Sequence, residues 1–159
     1  MDANTVIALC ATVIAVCSLL VSYKEAHATR EHNRKSVRPI LEIWQLKNYY
    51  GSTTGVKLIN NGLGPAVITG VIVKLDGEVL GGWSTDTFEE IAKGLPDVPK
   101  VSTLRNGTVY PPGAGEFLLH FEDFDEAAHS WFWSLISKRI TFEIHYESIY
   151  GGEGYKVVR

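Results

Sequence analysis

The sequence predicts a mainly β protein: an N-terminal transmembrane helix followed by a β-sandwich domain with two short helices inserted. Three observations predict it. Between Thr5 and Tyr23 runs an uncharged, mostly apolar stretch, closed from Lys24 onward by a cluster of basic residues. Past Pro39 come short runs of β-branched and aromatic residues, several alternating with period two and bounded by Gly, Pro and Asp-Gly turns. Two further stretches carry apolar residues at helical spacing. The chain therefore divides into residues 1–23 as the span, 24–38 as a basic juxtamembrane stalk and 39–159 as the β domain.

The apolar stretch is long enough to span. Its residues at about 1.5 Å each extend roughly 28 Å, close to the hydrocarbon thickness of a bilayer. Ala26-His27-Ala28 offers a signal-peptidase pattern, but no Lys or Arg precedes the apolar run. The run also exceeds the about 7–15 residues of a signal-peptide core, so an uncleaved anchor is expected. Lys24, Arg30, Arg34, Lys35 and Arg38 stand against Glu25 and Glu31 on one side of the span, and only Asp2 lies on the other. The positive-inside rule then places the C-terminal domain in the cytoplasm, from a single-pass anchor in the cell inner membrane. Both cysteines, Cys10 and Cys17, fall inside the span, so the globular part holds no disulfide. Ala8, Ala11, Ala15, Ser18 and Ser22 lie within about 80° of one another on a helical projection. Such a small-residue face lets two helices approach closely in lipid, which suggests a homo-oligomer through the span.

Tyr23 to Lys35 reads as a polar helical extension of the span. His27 with Glu31-His32 is not at a zincin spacing. Pro39 ends this segment by pushing Arg38 toward extended geometry. The domain that follows carries 10 basic and 15 acidic residues, which argues against a nucleic-acid partner.

Strands are expected at Ile40–Lys47, Gly55–Asn60 and Ala66–Leu75, the last apolar on both faces as a central strand would be. Asp76-Gly77 is a type I′ pair leading into Glu78-Val79-Leu80. Glu116–Phe121 should face Phe117, Leu119 and Phe121 inward. Ile140–Glu147 should face Ile140, Phe142, Ile144 and Tyr146 inward. Gly151-Gly152-Glu153-Gly154 turns the chain into a last strand, Tyr155–Val158. The first inserted helix spans Asp86–Lys93, with Asp86 and Glu89 as a capping box. The second runs from Asp123 to about Ser137 and lays Phe124, Ala128, Trp131 and Leu135 on the sheet.

Ser36-Val37-Arg38-Pro39, Leu58-Ile59-Asn60-Asn61-Gly62-Leu63-Gly64-Pro65-Ala66 and the closing Tyr146-Glu147-Ser148-Ile149-Tyr150-Gly151 have a counterpart. In that order, behind an anchor, they resemble a group of uncharacterised bacterial single-pass membrane proteins. The resemblance implies an immunoglobulin-like β-sandwich and a membrane tether, and no activity.

No residues announce catalysis, a metal or a cofactor. Serines and histidines stand in no nucleophile-elbow or triad context. His120 and His145 are expected on outward strand faces, near Glu143 and Glu147, as part of a solvated surface. Asp123, Asp125 and Glu126 suit the positive end of a helix dipole. Gly62-Leu63-Gly64-Pro65 precedes a strand and so lacks the N–H array of a phosphate loop, and Asn106-Gly107 is a turn pair. Trp44 and Trp131 are expected in the core. Trp133, flanked by His129 and Ile136 on the opposite side of its helix, is the candidate contact for an unknown protein partner. The function expected is a membrane-anchored, non-enzymatic interaction or scaffold module. The alternative is a membrane effector whose β domain senses a ligand and drives helix clustering and bilayer disruption.

Overall fold

A computed structural model describes residues 2–49, 51 and 53–159, in two units, one ending at Ser36 and the other covering Val37–Arg159. The first is a single helix, α1 (Ala3–Ser36), 34 residues long and with none of them buried. It is long and apolar enough to cross a membrane. The expected span and stalk are thus one uninterrupted helix of about 51 Å.

The second unit is built from antiparallel sheets. Its strands are β1 (Leu41–Tyr49), β2 (Thr53–Asn60), β3 (Ala66–Leu75), β4 (Glu78–Gly81), β5 (Lys100–Val101), β6 (Val109–Tyr110), β7 (Gly115–Phe121), β8 (Ile140–Ser148) and β9 (Tyr155–Val158). One sheet has the order β1-β2-β7-β5 and the other β4-β3-β8-β9, with β6 paired to the start of β3. Both sheets feed one core. Leu41, Ile43, Val56 and Leu58 come from the first, and Ile68, Val73, Phe142 and Ile144 from the second. The Tyr146 hydroxyl accepts from the Leu41 amide at 3.3 Å and ties β8 to β1.

Local chemistry explains the elements that were foreseen. Asp76 (φ 52°) and Gly77 (φ 90°) occupy the two positive-φ positions of the β3–β4 turn. Arg139 grips that turn from the start of β8: Nε donates to Asp76 Oδ1 at 2.9 Å and Nη2 to Oδ2 at 2.6 Å. The guanidinium holds the Asp76 carboxyl below its ordinary range. Along β8 burial alternates without a break, as read.

Five expectations need correction. Strand β7 carries a bulge: Val56 pairs with Leu119 but Lys57 pairs with Phe117, leaving Leu118 as the extra residue. Leu118 is therefore fully buried beside Leu119, and Phe117 turns to the outer face. The first inserted helix, α2 (Thr85–Ala92), starts two residues earlier than a cap at Asp86 would require. Ser84 is its N-cap, accepting from the Thr87 amide at 3.3 Å. Trp83, just before that cap, meets Phe88 edge-on at 6.1 Å in the N′–N4 position of a hydrophobic staple.

The third correction concerns the second helix. It is α3 (Glu126–Ser134), followed by a π-helical turn at Leu135–Arg139, and His129 (φ −115°, ψ 19°) breaks its regularity. A kink and a π-turn shift the helical phase, so the expected stripe holds only in part: Phe124 and Leu135 are core, Trp131 packs at its edge and Ala128 is exposed. Phe132 and Ile136, outside the expected stripe, are also fully buried, while Trp131 and Trp133 are both half-buried against the core. Fourth, Trp44 is 41% exposed and not core, and Trp83, at 1%, is the tryptophan in the core. Its indole meets Phe142 edge-on at 5.0 Å and donates to the Ser102 carbonyl at 2.7 Å. Fifth, the two-residue strands β5 and β6 carry too short a pattern to have been read.

Candidate functional site

The residues proposed from sequence do not form one site. Ile136 is wholly buried and its carbonyl accepts from Gln45 Nε2 at 2.5 Å, so it belongs to the core and offers no surface to a partner. His129 lies flat on Phe121, with centroids 4.6 Å apart and planes at 14°. Its Nδ1 accepts from the Asp125 amide at 3.0 Å and its Nε2 lies 3.8 Å from Asp97. Those contacts staple α3 to the sheet and to the 94–99 loop. Trp133 is half-covered by Lys47, whose ammonium sits 5.6 Å from the ring centroid and reaches Glu126 at 2.5 Å.

Ala8, Ala11, Ala15, Ser18 and Ser22 all fall within α1 and are exposed. Because that helix is unbroken, they keep the common face read from their spacing.

His120 and His145 stand in different sheets, on β7 and β8, and do not come together. Among the described residues no three His, Cys, Asp or Glu side chains converge as a metal would need. The outer face of the β4-β3-β8-β9 sheet is mixed, with Ile72 and Val158 flanking Glu143 by register. There Glu143 lies 3.0 Å from His145 Nε2, 3.8 Å from Lys156 and 3.9 Å from Lys74.

The outer face of the other sheet is different. The β1-β2 and β2-β7 registers align Trp44, Lys57 and Phe117 in one cross-strand row. Ile59 flanks that row on one side and Leu46 on the other, by the same registers, and Tyr49 joins Phe117 edge-on at 6.3 Å. The one charge in the middle is cushioned by rings: Lys57 Nζ is 5.1 Å from the Tyr49 centroid and 5.2 Å from that of Phe117. At the edge of the patch His120 packs against Phe117 at 5.0 Å. Its Nδ1 is, among the described residues, the one buried side-chain polar atom without a hydrogen bond. Burial holds the His120 imidazole below its ordinary range, against the opposing pull of Glu122. Lys100 pairs with Glu122 beside it and holds that carboxyl low.

An antiparallel sheet with one solvated face normally alternates apolar-in with polar-out. This one presents an aromatic and aliphatic band outward, with Lys57 within it and Glu42 at its end, opposite Ile59 and accepting from Trp44 Nε1 at 2.8 Å. The signal was present in β1: Trp44 follows the inward Ile43 by one residue, so parity alone puts it outside. For Phe117 no such signal existed, because the Leu118 bulge reverses its parity. No family model, curated protein or solved structure matches the chain.

Proposed function

We propose that the protein is a membrane-anchored, non-enzymatic interaction module. In this reading α1 is a single-pass anchor in an inner membrane, and the β domain is an immunoglobulin-like sandwich on the cytoplasmic side. The observation that carries the proposal is the cluster of Trp44, Leu46, Tyr49, Ile59 and Phe117 on the outer side of β1, β2 and β7, around Lys57 and beside Glu42. Contiguous apolar surface of that kind marks an interaction site, and aromatic side chains dominate binding energy at interfaces.

The immunoglobulin-like reading is supported by strand order. In chain order, β1, β2, β7 and β5 stand where strands A, B, E and D of such a sandwich stand, and β4, β3, β8 and β9 where C′, C, F and G stand. Two features depart from the antibody pattern. The buried tryptophan, Trp83, follows β4 and does not lie on the C-equivalent β3, and the only cysteines are Cys10 and Cys17 in α1. The same order agrees with the resemblance to tethered bacterial sandwiches noted above.

Hydroxyl-radical footprinting tests the docking face. Trp44 and Phe117 should be oxidised severalfold more slowly in native membranes than in dilute detergent, with the exposed Tyr150 as internal reference. Equal rates in both would mean that the face meets only water, and the proposal would fall.

A further inference from the structure

We propose that Asn106 is the site at which the folded protein deamidates spontaneously, and that Asn61, which has the same glycine neighbour, is kept inert by the fold. Asn61-Gly62 and Asn106-Gly107 are the two Asn-Gly pairs of the chain. Glycine after asparagine favours this reaction because no Cβ shields its amide nitrogen.

In the reaction the glycine nitrogen, once deprotonated, attacks the asparagine Cγ. A nitrogen–carbon bond forms, the side-chain nitrogen takes up a proton and leaves as ammonia, and a five-membered succinimide remains. Water then opens that ring at either carbonyl and gives aspartate or isoaspartate. The attack needs a glycine nitrogen released from other hydrogen bonds and a backbone free to turn toward Cγ. The two pairs share this chemistry and differ in how firmly the fold prevents it.

Asn61 is held on every side. The Gly62 amide donates to Oδ1 of the buried Asn60 at 3.0 Å. The Asn61 side-chain nitrogen, which would be the leaving group, donates to Glu42 Oε2 at 3.0 Å. The Asn61 amide donates to the Ile40 carbonyl at 2.8 Å. Gly62 is itself buried, and a Cβ there would lie 2.5 Å from the Arg38 carbonyl oxygen and 2.7 Å from the Pro39 carbonyl carbon. The backbone has no room to rotate, so reaction at Asn61 waits for the domain to open as a whole.

Asn106 sits in an exposed turn, residues 105–108, closed by the Thr108 amide on the Arg105 carbonyl at 3.1 Å. Gly107 (φ +85°) is exposed, and a Cβ there would meet nothing within 4 Å. One bond restrains the attacking nitrogen: the Gly107 amide donates to the Ile68 carbonyl at 2.7 Å. It lies beside the two-residue strand β6, at the end of a ladder, where local opening is easiest. Releasing one such bond lowers the reactive population by roughly tenfold, far less than unfolding the domain would. Isoaspartate adds a carbon to the main chain in the turn that sets β6 against β3, so the modification acts on that pairing.

The test keeps the full-length protein in detergent and mildly alkaline buffer and samples it over days. Peptide mass mapping reads the acid products, with isoaspartate separated by its chromatographic shift. Conversion at position 106 should run at least about tenfold faster than at position 61. In concentrated urea the two positions should convert at similar rates. Across a urea series position 61 should accelerate in step with the unfolding transition, while position 106 changes little before it. Conversion at position 61 as fast as at position 106 in native buffer would overturn the proposal. So would conversion at position 106 that rises only with unfolding of the domain. A native difference that persists undiminished in concentrated urea would also overturn it, because the fold would then not be its cause.

Discussion

Asn60 shows how much a single side chain can organise. Its Oδ1 accepts from the amides of Ile40 (3.2 Å) and Gly62 (3.0 Å), and its Nδ2 donates to the carbonyls of Gly64 (2.8 Å) and Tyr110 (2.9 Å). All four partners are backbone groups, and Asn60 itself is fully buried. The glycines around it follow from the same closeness. A Cβ on Gly62 would lie 2.5 Å from the Arg38 carbonyl oxygen, and one on Gly64 would lie 1.7 Å from that of Val37. Asn60→Ala strands three buried backbone groups and one part-buried amide, at about 1–3 kcal/mol each before water recovers part, so a urea titration should show a loss of roughly 3–5 kcal/mol. A loss below about 1 kcal/mol would mean that water replaces the amide with little penalty. The sequence motif was legible as a turn, but its centre was not, because Asn60's partners lie up to 50 positions away. His120 carries a second residue-scale prediction. Its imidazole is held below the ordinary 6.5, chiefly by burial. The unfolded chain therefore binds the proton first, and stability conferred by the neutral ring is complete above pH 6.5 and is lost as pH falls from there through the folded value. Stability of the parent should accordingly drop between neutral and mildly acidic pH, and His120→Gln should flatten that part of the profile. Parallel profiles for the two proteins would show that another group titrates there.

At the scale of elements, what could be read depended on whether the determining contact was local. β3, β8 and the Asp76-Gly77 turn were read at their observed places because alternation and turn chemistry act over a few residues. The β7 bulge and the α3 kink depend on tertiary packing, and each moved a set of side chains to an unexpected face. A regular wheel through residues 123–137 sets Trp131 and Trp133 on opposite sides. The broken helix instead leaves both half-buried and sends Phe132 into the core, edge-on to Phe121 at 4.9 Å. Phe132→Ala should then cost about 3–5 kcal/mol through the cavity it leaves, and Trp131→Ala and Trp133→Ala roughly half as much each. Thermal or urea melts of the three variants rank them, and a Trp131 variant less stable than the Phe132 variant would restore the regular wheel. The α1 face poses a parallel question in lipid. If helices associate through Ala8, Ala11, Ala15, Ser18 and Ser22, the double change Ala15→Ile and Ser18→Ile should weaken association in a membrane-dimerisation assay by blocking close approach. Leu9→Ile with Val16→Ile, on the far side of the helix, should change it little. Equal effects from the two pairs would remove the case for a specific face.

For the molecule as a whole, layout was more legible than surface. The length of the apolar run and the charge after it predicted a helix long enough to cross a membrane, and the helix runs unbroken from Ala3 to Ser36. Composition predicted a mainly β remainder, and antiparallel sheets make up its frame. Surface function was not legible in the same way. It depends on which residues register beside one another across strands, and Trp44, Lys57 and Phe117 are far apart in sequence. The direction of the chain across the bilayer is a matter of whole-molecule electrostatics and yields the last prediction. Translocating Lys24, Arg30, Arg34, Lys35 and Arg38 is opposed by the positive-inside bias, and Asp2, before the span, adds no basic charge to the other side. A reporter that fluoresces only in the cytoplasm, fused after Arg159, should therefore be bright, and the same fusion to a periplasm-dependent reporter should be silent. Arg30→Glu, Arg34→Glu and Lys35→Glu together, with lysines added before Thr5, reverse the asymmetry and should shift signal toward the periplasmic reporter. If the parent is already bright only in the periplasmic fusion, the charge argument fails, and the domain, its face and its partner all lie on the opposite side of the membrane.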